Sequence, residues 1–149
     1  MTGLYWEEWE VGAEFETSAR TVSEADIVIF AGLSGDYHPL HVNEEYCKQT
    51  IFGTRIAHGA LVYAIASGLL FQLHLSDDTS IAFLGFEDLH FSKPVIPGDT
   101  IRARIKVLEK RETSRSDRGL MKRQLTVFNQ RGEEVQKGIQ AFLIKRRPL

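Results

Sequence analysis

Residues 56–76 contain no Asp, Glu, Lys or Arg, whereas the residues that follow alternate apolar and polar. The apolar part of that run, 60–71, has the length of a buried core helix rather than of a membrane span. His58, Ser67, Gln72 and His74 interrupt it, and neither end carries an anchoring cluster of basic residues. A helix of about 59–73 that is apolar on every side must be wrapped by something. Strand-like segments over 80–86, 88–95, 100–110, 120–130 and 135–146 follow, separated by turn signals such as Pro97-Gly98-Asp99 and Asp117-Arg118-Gly119. Ile101, Ala103, Ile105 and Val107 alternate with Arg102, Arg104 and Lys106, so that strand has one buried and one wet face, as in an antiparallel sheet.

Before the helix the signals are shorter. Residues 14–22 alternate loosely enough for a first strand, and Ser23-Glu24-Ala25-Asp26 has capping-box form ahead of a short helix that stops near Gly35. Asn43, Glu44 and Glu45 cap a second short helix to about Gln49, and 51–55 reads as loop. This order predicts an α+β architecture, one domain over 1–149 in which a curved antiparallel sheet wraps a central helix.

Composition narrows the function. A chain of 149 residues with 43% hydrophobic and 26% charged residues needs no disulfide or metal staple. A net charge of −2 argues against nucleic acid as a partner. The lone Cys47 cannot form an internal disulfide, and no Cys/His set has zinc spacing, so no metal is expected. The acidic, aromatic N-terminus lacks the form of a signal peptide, and a cytoplasmic protein without membrane contact is expected.

The chemistry concentrates in Ser34-Gly35-Asp36-Tyr37-His38-Pro39-Leu40-His41. Pro39 breaks helical geometry at His38, so a turn between Gly35 and Pro39 can fold Asp36 beside His41 and form an acid/base pair. The plainer alternative is a helix cap and a structurally satisfied histidine. Ala57-His58-Gly59-Ala60 falls at the N-terminus of the long helix, where unpaired amides and the helix dipole favour a developing oxyanion, and Gly59 permits close approach. Gly59 alternatively serves only the tight turn into the helix. Ser67 is a polar residue on an apolar helix, a candidate site residue or a hydroxyl bonded back onto its own helix. Cys47 reads as structural, and the basic row Arg102, Arg104, Lys106, Lys110 and Arg111 reads as a solvated sheet face rather than a phosphate rim. There is no serine nucleophile elbow, P-loop or dinucleotide fingerprint.

Taken together, residues 34–41, Ile56-Ala57-His58-Gly59-Ala60, Ser67-Gly68 and Pro94-Val95-Ile96-Pro97-Gly98-Asp99-Thr100 resemble the MaoC-like hydratases, which include the (R)-specific enoyl-CoA hydratases. The resemblance implies a hot-dog fold in a homodimer or higher oligomer, with Asp36 and His41 as a catalytic dyad and the Gly59 N–H on the thioester oxygen. Ser67 matches a serine near the dyad in the (R)-hydratases. One departure is His38, where the family usually has asparagine, so dyad positioning, pH dependence or substrate can differ.

The activity implied is reversible addition of water across a 2-enoyl thioester. Coenzyme A or acyl carrier protein is only the substrate's handle, and no cofactor is needed. The acyl chain is expected beside the helix near Phe30, Leu33 and Tyr63, with His38, Gly59, Ser67 and Tyr63 as the substrate-binding set. An acyl-CoA thioesterase of the same fold and a non-catalytic acyl-CoA-binding module are the rival readings.

Overall fold

A computed structural model describes residues 3–148; Met1, Thr2 and Leu149, the outermost residues of the predicted domain, lie outside the described residues. After a 3-10 turn at Trp6–Glu8 come β1 (Glu14–Glu16), β2 (Arg20–Thr21), α1 (Glu24–Ser34), α2 (Pro39–Val42), α3 (Glu44–Cys47), α4 (Gly59–Phe71), β3 (Ser80–Phe91), β4 (Thr100–Glu112), β5 (Arg118–Phe128) and β6 (Glu134–Lys145). Every strand pairing is antiparallel, in the order β1-β4-β5-β6-β3, with β2 also on β4. The sheet curls around α4, the hot-dog arrangement.

The alternation read on β4 is realised: Ile101, Ala103, Ile105 and Val107 are buried and join Leu61, Val62, Ala66 and Leu70 of α4 and Met121, Leu125 and Val127 of β5 in one core. The opposite face of β4 is salted, in line with the solvated-face reading. Arg102 and Arg104 both pair with Glu16, Lys106 pairs with Glu14, and Lys110 Nζ donates to the Trp9 carbonyl at 2.6 Å. Cys47 is buried and its Sγ donates to the Pro39 and Leu40 carbonyls, which fits the structural reading.

Three expectations need correction. The single strand over 14–22 is two, because the Thr17 hydroxyl rather than a ladder carbonyl accepts the Ala103 amide, at 2.9 Å, where the chain steps out of register. The two strands over 80–86 and 88–95 are one, β3, carried through irregularities at Gly85 and at Asp88, whose φ of 49° kinks the strand without ending it. Val95 lies beyond that strand and is buried in the core. The central helix stops at Phe71, and the sheet covers only one side of it: Leu61, Val62, Ala66, Leu69 and Leu70 are buried, whereas Ala64, Ser67, Gly68 and Phe71 are exposed. No helix among the described residues is long and apolar enough to cross a membrane.

Candidate active site

The site is assembled from two helix ends. Ser23 caps α1 as predicted: its hydroxyl accepts the Asp26 amide at 3.1 Å, while the Asp26 carboxylate accepts the Ser23 amide at 2.8 Å. The helix ends at Gly35 in the left-handed region, φ 76°, where a side chain would be strained. The reversal carries Asp36 into an exposed turn, and its Oδ1 accepts the His38 amide at 3.2 Å.

α2 then starts with Pro39 at its first position and His38 as its cap. His38 Nδ1 accepts the Leu40 amide at 3.2 Å, the cap bond an asparagine oxygen would make in the same place. His38 is exposed and its ring centroid is 6.3 Å from that of His41. Through its cap bond it shapes the loop between Asp36 and His41.

His41 points inward. Its Nδ1 lies 2.7 Å from the Ile56 carbonyl, which can only accept, so Nδ1 carries the proton and Nε2 keeps its lone pair. That Nε2 is 3.9 Å from Asp36 Oδ2, with the histidine side chain 12% and the aspartate side chain 53% exposed. Burial is the main force on His41 and pulls its pKa below 6.5; the Ile56 carbonyl opposes it, His58 adds to it, and Asp36 opposes it more weakly. A neutral imidazole beside a carboxyl group can serve as an acid/base pair.

His58 was legible in the sequence only as a polar break, and the structure gives it a larger place. It is 3% exposed, its ring stacks on His41 with centroids 3.7 Å apart, and its Nε2 donates to the Asp36 backbone carbonyl at 2.9 Å. One side chain thus braces both members of the pair. Its Nδ1 is buried without a partner among the described residues. Atoms of Asp36, His41 and His58 that can ligate a metal lie within 4.8 Å of one another. The two imidazole planes, however, are only 23° apart and stacked, so their in-plane lone pairs do not converge on one ion.

Gly59 opens α4. The cap residue His58 makes no side-chain cap bond, and among the described residues the Gly59 amide has no acceptor. A Cβ there would sit 2.7 Å from the Phe91 ring, so glycine is what lets that ring lie against the start of α4. The Gly59 carbonyl accepts from Gln136 Nε2 at 2.6 Å. His41, Gly59, Ala60, Phe91, Val95 and Gln136 are among the residues lining a cavity of about 560 Å³.

The remaining expected residues lie elsewhere. Tyr63 and Ser67 line a second cavity of about 290 Å³ with Arg123, Phe83, Gln140 and Phe142. Ser67 is eight positions past Gly59, about 12 Å along the helix axis, and bonds to no backbone carbonyl of its own helix among the described residues. The expected acyl slot is divided: Phe30 packs edge-on against His58 at 4.9 Å, while Leu33 is 82% exposed because it points away from α4 on the outer face of α1.

The MaoC like domain model matches residues 8–128. In sequence the chain is 42% identical over 101 residues to Protein MaoC of Klebsiella aerogenes, covering 68% of this chain but only 30% of that protein. It is also 42% identical over 103 residues to the (R)-specific enoyl-CoA hydratase of Rhodospirillum rubrum, covering 69% of each. Among solved structures, the monoamine oxidase regulatory protein from Archaeoglobus fulgius superposes with a TM-score of 0.93 at 41% identity, over 99% of this chain and 98% of that one. With the loop, the helix start and the sheet all in place, this chain belongs to the MaoC-like domain family.

Proposed function

We propose that the protein hydrates 2-enoyl thioesters, reversibly, to 3-hydroxyacyl thioesters, with Asp36 and His41 as the acid/base pair. The observation that carries this reading is the His41 tautomer: Nδ1 is bonded to the Ile56 carbonyl, so the Nε2 lone pair faces Asp36 at 3.9 Å. One water can hydrogen-bond to both groups at that separation. His41 takes a proton as the water oxygen bonds to the β-carbon, electrons move to the thioester oxygen as an enolate, and the α-carbon then receives a proton from the pair. The Gly59 amide, unpaired on the same cavity as His41, is the donor to that oxyanion, a role typically worth about 2.7–4 kcal/mol.

The curated relatives named as an (R)-specific enoyl-CoA hydratase and as a 3-hydroxybutyryl-CoA dehydratase support the same reaction class in its two directions. In this reading the carrier is coenzyme A or acyl carrier protein, and no metal or redox group takes part. A homodimer is part of the proposal, because Phe71, Phe83 and Leu84 stand exposed on α4 and on the edge strand β3.

The test is purified protein with crotonyl-CoA, following the ultraviolet absorbance of the conjugated thioester with a thiol-trapping dye in a parallel cuvette. Loss of conjugation without free thiol is the expected result. Thiol release would instead make the protein a thioesterase, and binding without either change would make it a non-catalytic module.

A further inference from the structure

β5 turns Met121, Leu125 and Val127 toward α4, each no more than 1% exposed. Arg123 occupies the same face of the strand, between Met121 and Leu125. A guanidinium in an apolar row is costly unless its donors are met.

They are met only in part. Arg123 Nε donates to Gln140 Oε1 at 2.8 Å, and Gln140, itself 1% exposed, donates from Nε2 to the Tyr63 hydroxyl at 3.2 Å. The Phe142 ring lies 4.4 Å from the guanidinium carbon. Among the described residues no carboxylate comes within 4.0 Å of Arg123, and its two terminal amino groups have no acceptor. Asp77, on the same cavity, is engaged with His74 Nδ1 at 2.7 Å. Desolvation draws the Arg123 pKa down to about 10, which leaves it charged at neutral pH. The cavity of about 290 Å³ therefore presents a partly buried cation whose planar fork has no protein acceptor among the described residues.

Its position relates it to the candidate active site. Gly59, Tyr63 and Ser67 are spaced by four and form one strip of α4. β6 tracks that strip, with Gln136 on the Gly59 carbonyl and Gln140 on the Tyr63 hydroxyl. Arg123 is thus linked through Gln140 to Tyr63, whose position on α4 is one helical turn, about 6 Å of axial rise, past Gly59.

We propose that Arg123 binds a carboxylate at the far end of the acyl chain, so that the substrate is a short dicarboxylic 2-enoyl thioester rather than a simple fatty acyl one. The inference rests on the hydratase reading for the placement of the thioester end. A methyl-ended chain entering the cavity would displace water from the fork and offer it no acceptor; a carboxylate accepts two parallel N–H bonds from it. In this proposal the intervening methylenes pass along the α4 strip from the Gly59 cavity into the Arg123 cavity, which Tyr63 and Phe142 line.

The experiment compares 2-hexenedioyl-CoA with 2-hexenoyl-CoA, equal in length and different only in the terminal carboxylate. The wild-type protein is expected to favour the diacid in kcat/KM by roughly 10- to 100-fold, and Arg123→Met to erase or reverse that ratio. Arg123→Lys, which keeps the charge without the fork, gives an intermediate ratio and guards against a misfolded Met variant. A wild-type preference for hexenoyl-CoA overturns the proposal. So does an equal loss on both substrates in Arg123→Met with a lowered melting temperature or a smaller particle by size exclusion, which would give the guanidinium a carboxylate of a second copy as its acceptor. Calorimetric binding of the saturated pair, adipyl-CoA and hexanoyl-CoA, separates this inference from the activity. Arg123-dependent preference for adipyl-CoA without turnover of either enoyl thioester would sink the hydratase reading and keep the carboxylate site; no preference would sink the site.

Discussion

Asp36→Asn tests the proposed chemistry with little disturbance to the fold. Asp36 Oδ1 accepts the His38 amide, and an asparagine oxygen can keep that bond. Its nitrogen must then take the place of Oδ2, 3.9 Å from His41 Nε2. The substitution so puts a donor where the water needs an acceptor, and offers that donor to the lone pair of the base. Loss of a positioned acid/base group costs about 10²- to 10⁴-fold in rate, or about 2.7–5.4 kcal/mol of barrier at 1.36 kcal/mol per decade. Stability should barely move, within about 0.5 kcal/mol, because the side chain is 53% exposed and its backbone carbonyl still accepts from His58. The assay is crotonyl-CoA hydration followed in the ultraviolet, paired with a thermal melt. A variant that melts like the wild type and keeps activity within about threefold would refute the assignment of Asp36 to proton transfer, since no mechanism of that kind survives at so small a loss.

Other outcomes follow from the same geometry. Because burial lowers the His41 pKa, the neutral base persists below pH 6.5, so kcat/KM should stay level through neutrality and fall with unit slope only on the acid side of that value; a fall beginning above pH 6.5 would contradict it. The stability linkage has the same sign: the unfolded chain binds the proton more readily, so His41's contribution is present above pH 6.5 and is lost as pH drops through the folded-state value, visible as a declining melting temperature. Gly59→Ala sets a methyl 2.7 Å from the half-exposed Phe91 ring, which can swing aside; kcat/KM should drop by about tenfold or more with the melt nearly unchanged, and an unaltered rate would remove Gly59 from the site. Ile105→Ala empties a fully buried position between β1 and β5 and should cost about 2–5 kcal/mol by denaturant titration.

The sheet and the long helix were legible because their signals are periodic and local. β4 alternates residue by residue, and the uncharged run before β3 has no other use in a protein of this composition. What escaped depends on pairing across the sheet. Nothing in residues 14–22 announces that Thr17 will satisfy the Ala103 amide with its hydroxyl and split the strand, and the pattern reads as broken at Glu87 although β6 holds the chain in line past it. The site was legible to the extent that Gly35 and Pro39 force a reversal. His58 was not, because stacking on His41 joins positions 17 apart whose proximity is set by the approach of α1 and α2 to the start of α4. Arg123 likewise carries no signal of its own in the sequence; what sets it apart is the side of β5 it occupies.

The bond from Ile56 to His41 runs through the main chain. A carbonyl is common to all twenty residues, so no replacement of the side chain at position 56 can abolish the acceptor that selects the His41 tautomer. The proton's address on the imidazole is therefore written in the path of the backbone, and only an insertion, a deletion or a shift of the segment before α4 can rewrite it. Side-chain replacements around the two cavities leave that bond in place, so the polarity of the His41 ring is carried by the fold itself.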